Sequence, residues 1–240
     1  KASFEFQDEK TGQKGVVKNN KPIEVLFEGV DTNEYFETDV MDDEITETFN
    51  KIETDWNFLF TGHWLAGNLG EDRKDIGMLI KVFCETFKNQ ENQPGLILKT
   101  SSASFSVLDR EDMISRINKV KSSVTGKLPK IYLLHGELTD AQMNQLYNHP
   151  KVKAHVSFTH GEGFGRPLLE ACQSGKPVIA SGWSGHVDFL HKNYAVLLGG
   201  SLTKVPAGSF PKEMLFEQSQ WFTVNYQQAS QVMADVLSNY

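Results

Sequence analysis

The chain has 240 residues, 39% of them apolar and 23% charged, with a formal net charge of −7. That excess of acid excludes sequence-independent binding to nucleic acid, which needs a surplus of Lys and Arg. No apolar run approaches the roughly 18 residues of a membrane-spanning helix. The polar, acidic opening of the chain reads as neither a secretory signal nor a transit peptide. Cys84 and Cys172 fall in apolar helical patterns, as reduced thiols do, so a cytoplasmic protein is expected.

In chain order, residues 1–55 have the character of an inter-domain connector or arm. Two strand-like runs, 15–17 and 23–27, are separated by turn formers, and an acidic stretch with one short helix follows. From Trp56 the pattern becomes regular and continues through 56–240, a single domain. "NFLFTG" is a compact apolar run ending at glycine, as a buried strand is. Residues 72–88 place Ile76, Leu79, Ile80, Phe83 and Phe87 on one helical face, with acidic Glu71 and Asp72 at the start. Strands then follow at 95–100, 130–136, 152–159, 176–181 and 193–200. Helices are read at 109–121, 138–149 (capped by Thr139 or Asp140), 166–174 and 224–237. Strands alternating with helices predict an α/β fold, a Rossmann-like, doubly wound parallel sheet. Ligands of such sheets bind beyond the carboxyl ends of the strands. That rule selects the loops 62–74, 136–139 and 160–166.

The loop "THGEGFGRPLLEA" puts Gly161, Gly163 and Gly165 around Glu162, with Pro167 at the start of a helix. Proline costs nothing at the first helical position. The first-turn N–H groups of Leu168 and Leu169 would then face outward with the positive end of the helix dipole, and Arg166 adds a cation: a site for a phosphate. The alternative is a tight strand-to-helix turn whose glycines only satisfy the backbone. Glu170 either benefits from the helix dipole or accepts hydrogen bonds from a vicinal diol. Glu162 is either solvated or aimed at a ligand.

With Glu162 and Glu170 eight positions apart, "GEGFGRPLLEACQSGKPVIAS" resembles the E-x7-E signature of group-1 glycosyltransferases, which have the two-domain GT-B fold. "IEVLFEGVDTNEYF" is similar to the connection between the family's domains, and "NFLFTGHW" with "EDRKDIGMLIKVF" to the first strand, donor loop and first helix of its C-terminal domain. The resemblance runs from Ile23 to the end of the chain. It implies a donor-binding domain that takes a nucleotide-diphospho-sugar as substrate, with retention of configuration, no cofactor and no metal. Lys74 matches the lysine on the donor diphosphate and Glu162 the glutamate near the donor sugar, the two catalytic positions. Glu170 matches the holder of the ribose hydroxyls. The resemblance likewise implies that the backbone of Gly163, Phe164, Gly165 and Arg166 lies beside sugar and phosphate, and Gly136, Glu137 and Leu138 match the loop against the base. Two positions depart from the pattern. His63 stands where the family has arginine, so a cation must come from Arg73, Arg166 or elsewhere, and Asp75 follows Lys74 where glycine is usual. The family's N-terminal, acceptor-binding domain has no counterpart in the sequence.

A non-catalytic nucleotide-sugar-binding module is the alternative reading. A nicotinamide-dependent oxidoreductase is disfavoured because G-x-G-x-G follows a late strand and is not G-x-G-x-x-G. His155 and His160 would fall on opposite faces of a continuing strand, which argues against a metal site. Trp183 and His186 either border the sugar or pack a turn.

Overall fold

Short, fully apolar strands separated by one-sided helices bury all their surface only when the strands form a central sheet and the helices cover both faces. The computed structural model describes the chain apart from residues 1, 2, 9, 23, 66–68, 103, 211–214 and 217, and it has this doubly wound α/β architecture. The central sheet holds β3 (Asn57–Thr61), β4 (Gly95–Lys99), β5 (Ile131–Leu134), β6 (Val152–Ser157), β7 (Val178–Ser181) and β8 (Ala195–Leu198). Their spatial order is β5-β4-β3-β6-β7-β8, with every pairing parallel. Alternate side chains serve the two faces. Phe58 and Phe60 of β3 join one buried cluster with Leu79, Phe83 and Met233, and Leu59 between them joins the other. The first face is covered by α2 (Ile76–Phe87), α3 (Val107–Lys121) and α6 (Tyr226–Ser238). The second is covered by α1 (Asp43–Asn50), α4 (Asp140–Asn148) and α5 (Arg166–Cys172).

The helix starts follow the capping rules. Ser106 and Thr139 accept the N–H groups of Asp109 and Gln142, and Gln142 completes a capping box at α4. The helix expected from Asp72 begins only at Ile76, because Asp75 adopts the left-handed conformation at φ 53°.

The N-terminal region differs from the expected pair of strands. β2 (Lys14–Lys18) pairs antiparallel with β1 (Ser3–Gln7) in a separate hairpin. Ile23 lies outside the described residues; residues 24–27 pair with no described strand, and Val25 and Leu26 are 92% and 94% exposed. From Tyr35 onward the segment read as an arm is core material. Tyr35, Ile45, Phe49 and Ile52 are buried against Leu59, Ile97 and Tyr147. A hairpin unforeseen in the sequence, β9 (Gly200–Lys204) with β10 (Gln220–Val224), precedes α6 and takes Val224 from that helix. Both cysteines are free thiols, and no helix among the described residues is long and apolar enough to cross a membrane.

Candidate functional site

The strand order reverses between β3 and β6, the point where open α/β sheets leave a crevice at their carboxyl ends. The loop after β3 returns through a tight turn in which the buried Asp72 Oδ1 accepts the N–H groups of Lys74 (3.1 Å) and Ile76 (3.3 Å). Lys74 therefore precedes the helix rather than lying on its first turn, and its side chain points into the crevice region with 11% exposure. Across the reversal, the loop after β6 brings Glu162 to it, with Lys74 Nζ 2.5 Å from Oε1. Arg73 Nη1 lies 3.2 Å from Oε2 and donates to Gly161 O at 2.7 Å. Burial holds the Lys74 ammonium below its ordinary pKa against the opposing pull of Glu162. Burial also pushes the Glu162 carboxyl up, but Lys74 and then Arg73 outweigh it and leave the group below the usual carboxylate range. The pair is ionised, and each charge depends on the other because it is largely shielded from water.

Asp75 explains one departure from the family pattern: its left-handed backbone suits glycine, and aspartate is among the few other residues that tolerate it. The other departure is only partly compensated. His63 Nδ1 contacts Ser101 Oγ at 3.2 Å, Arg73 supplies a cation at Glu162, and Arg166 is turned to Glu170 instead.

The glycine loop is held from behind. Ser184 Oγ donates to Glu162 O (2.7 Å) and accepts from Glu162 N–H (3.2 Å), and Gly185 N–H donates to Glu162 O (3.1 Å). A Cβ on Gly185 would fall 2.0 Å from Gly163 O, so this contact requires glycine. Gly165 caps α5 at φ 94°. Gly163 is different: a Cβ there would meet open space. Phe164 packs edge-on against Phe27 with ring centroids 5.1 Å apart, and against Phe189 at 5.4 Å. The expected anion donors need correction. Leu168 and Leu169 both donate to Gly165 O, at 2.9 and 3.3 Å, so the helix's own geometry occupies these N–H groups.

Glu170 forms a second buried unit. Its Oε2 accepts from Tyr147 OH (3.0 Å) and its Oε1 from Arg166 Nε (2.8 Å); neither partner is shared with Glu162. Burial raises the Glu170 carboxyl above its ordinary pKa, with Tyr147 and Arg166 opposing the shift. Tyr147→Phe should lower unfolding stability in urea by about 1.5–3 kcal/mol, the range for a hydrogen bond to a charged group. A loss under about 0.5 kcal/mol would show that the tyrosine does not hold this carboxylate.

The remaining candidate residues border the crevice or pack behind it. A cleft of about 230 Å³ is lined by Gly62, His63, Arg73, Lys74, Lys99 and Pro167 among others. An adjoining hollow of about 510 Å³ is lined by His63, Ser101, Ser104, Phe105 and Glu137. Gly136 is held by Lys99, whose ammonium donates to its carbonyl at 2.6 Å and lies 5.2 Å from the Phe105 ring centre. Leu138 packs into the core on the α4 face. Trp183 lies parallel to Phe222, and His186 is fully buried with Nε2 donating to Ser181 O. His155 and His160 are both buried and separately engaged. The strand-end rule points to three loops; the structure adds a fourth, after β4, carrying Ser101 and Phe105. The same rule, applied to that strand, would have found it.

Comparison with known proteins bears on the fold. Residues 126–205 match the family model described as glycosyl transferases group 1. No curated protein matches the chain by sequence. Among solved structures, the C-terminal domain of a group 1 glycosyl transferase (LpcC) from Francisella tularensis is similar with a TM-score of 0.56 at 15% identity, over 88% of this chain and 89% of that one. Sucrose-phosphate synthase from Thermosynechococcus elongatus (0.54, 14% identity) is matched over 88% of this chain. Anabaena HepE, crystallised with UDP-glucose (0.52, 15% identity), is matched over 89%. The chain spans only 42% and 47% of those two proteins. Residues 126–205 are thus similar to the group 1 glycosyltransferases, and the chain around them has the fold of the C-terminal, Rossmann-like domain of a GT-B enzyme.

Proposed function

We propose that this chain is the donor-binding part of a glycosyltransferase, taking a nucleotide-diphospho-sugar and passing the sugar, with retention and without a metal, to an acceptor presented by a second domain. One observation carries the reading: a shielded lysine, Lys74, is paired with Glu162 beside an open cleft at the point where the sheet reverses. An ammonium has three donors, so Lys74 can take phosphate oxygens while remaining beside Glu162. As the bond to the sugar breaks, negative charge accumulates on the departing diphosphate. A fixed cation in a shielded site stabilises that charge without reorganisation. Glu162 is then placed at the sugar. The open space over Gly163 allows a ligand to approach the main chain. The hollow along Phe105 and Glu137 offers a place for the base. UDP-glucose, bound in the HepE crystal, belongs to the same chemical class as the proposed donor.

The test is a panel of UDP, GDP, ADP and dTDP with their monophosphates, read by thermal shift and isothermal titration. At least one diphosphate should stabilise the protein by about 2.7 kcal/mol at a concentration of about 100 Kd, and should bind better than its monophosphate. Failure of all four diphosphates at millimolar concentration would overturn the reading.

A further inference from the structure

Asp75 and His160 form a buried unit directly behind Lys74 and Glu162. Asp75 is 0% exposed and His160 2%. His160 Nδ1 lies 2.7 Å from Phe222 O, and a carbonyl can only accept, so this nitrogen carries a proton. Tyr226 OH from α6 donates to Asp75 Oδ2 at 2.7 Å. The two atoms left over, Asp75 Oδ1 and His160 Nε2, are both buried without a partner and face each other at 3.8 Å. That distance is too short to admit a bridging water and about 1 Å beyond a hydrogen bond, a gap that a small carboxyl rotation closes. Two lone pairs cannot face each other in an apolar interior at no cost, so one proton belongs between them.

We infer that Asp75 is kept protonated and donates to a neutral His160, forming a bridge that positions the two loops carrying Lys74 and Glu162. The His160 backbone N–H donates to Arg73 O at 2.9 Å, and the imidazole ring stacks on Trp221 at 3.9 Å, so the bridge joins the loop before α2, the loop after β6, and β10. This gives a use for aspartate at a position whose backbone suits glycine.

Other charged groups around the pair act in the same direction or are neutralised. Asp72, in the same turn, repels an ionised Asp75, and Tyr226 is an uncharged donor from α6. Glu162, on the loop of His160, is neutralised by Lys74 and Arg73. Burial foremost, then Asp72, pushes the Asp75 carboxyl up to about 8, while burial lowers His160. A raised pKa means stability present at low pH and lost as pH rises; here the loss runs from about 4, the unfolded value, through about 8.

The experiment uses the full chain labelled at histidine nitrogen. His160 should show a protonated Nδ1 and an unprotonated Nε2 through pH 7, with the Nε2 resonance moving as Asp75 ionises near pH 8. A cationic His160 at pH 7, or an Nε2–H tautomer, overturns the inference. Two variants add a second readout: Asp75→Asn keeps a donor and tolerates the backbone, whereas Asp75→Gly suits the backbone but has no donor. Nucleoside diphosphate affinity should fall about tenfold in Asp75→Gly and stay within about twofold in Asp75→Asn. Asp75→Asn should also lose the part of the wild-type pH dependence due to Asp75, leaving that of Lys74. Equal affinity in Asp75→Gly and wild type counts against the bridge. The affinity readout rests on the donor-site reading above; the imidazole spectrum does not, so the two can fail separately.

Discussion

Lys74→Ala should weaken nucleoside diphosphate binding by about 100-fold, while Glu162→Gln should bind the same ligand at least as well as wild type. The two residues form one ion pair, yet the pair is a competitor of the phosphates as well as their neighbour. Glutamine keeps the shape and removes the charge, so the Lys74 ammonium is left without its counter-ion until phosphate arrives. The stabilities should show the same asymmetry. Without ligand, Glu162→Gln should lose about 3 kcal/mol, the cost of leaving a shielded charge uncompensated. In Lys74→Ala, by contrast, Glu162 keeps Arg73 at 3.2 Å and should lose less. Added diphosphate should restore stability to Glu162→Gln and do little for Lys74→Ala. Calorimetric titration and thermal unfolding of both variants decide this. Equal losses of affinity would mean that Glu162 grips the phosphates itself or that Lys74 never reaches them.

Gly185→Ala should lower the same affinity by more than about tenfold although residue 185 lies behind the loop rather than at the ligand. The added methyl would fall 2.0 Å from Gly163 O and 2.9 Å from Glu162 O, and both obstacles are backbone, so no rotamer relieves the overlap. The glycine loop must shift, carrying Glu162 away from Lys74. Overpacking of this kind costs about 1–3 kcal/mol of stability, which the fold should survive. Circular dichroism should therefore show intact secondary structure in a protein with impaired binding. Undiminished binding would show that the Ser184–Gly185 turn does not set the position of Glu162.

The architecture was legible because each strand of the central sheet is a short apolar run and each helix presents an apolar stripe, patterns that report burial directly. Reading the ligand loops from the strand ends depended on the same regularity. Long-range partnerships were harder. The β9–β10 hairpin pairs residues about twenty apart across a polar stretch, and no local pattern announces it. Residues 35–52 looked like an arm because acidic residues dominate their composition, although Ile45, Phe49 and Ile52 stand at i, i+4 and i+7, the spacing of a core-facing helical stripe. At the site, the proximity of Lys74 and Glu162 could be expected from the family resemblance. The occupation of the Leu168 and Leu169 N–H groups could not, because it depends on where the left-handed Gly165 starts the helix. His160 and Asp75, far apart in sequence, carried no local sign of their pairing.

The hook from Tyr226 to Asp75 makes the turn bearing Lys74 dependent on a helix that is synthesised long after it. On the ribosome, the turn bearing Lys74 emerges about 150 residues before the hydroxyl that secures it, a span far longer than local folding bridges by itself. A chain stalled before α6 can assemble β3–β8 yet leave that turn unfastened, so the position of Lys74 is fixed only after the sheet around it is complete. Deleting α6 from a finished gene should reproduce this immature state.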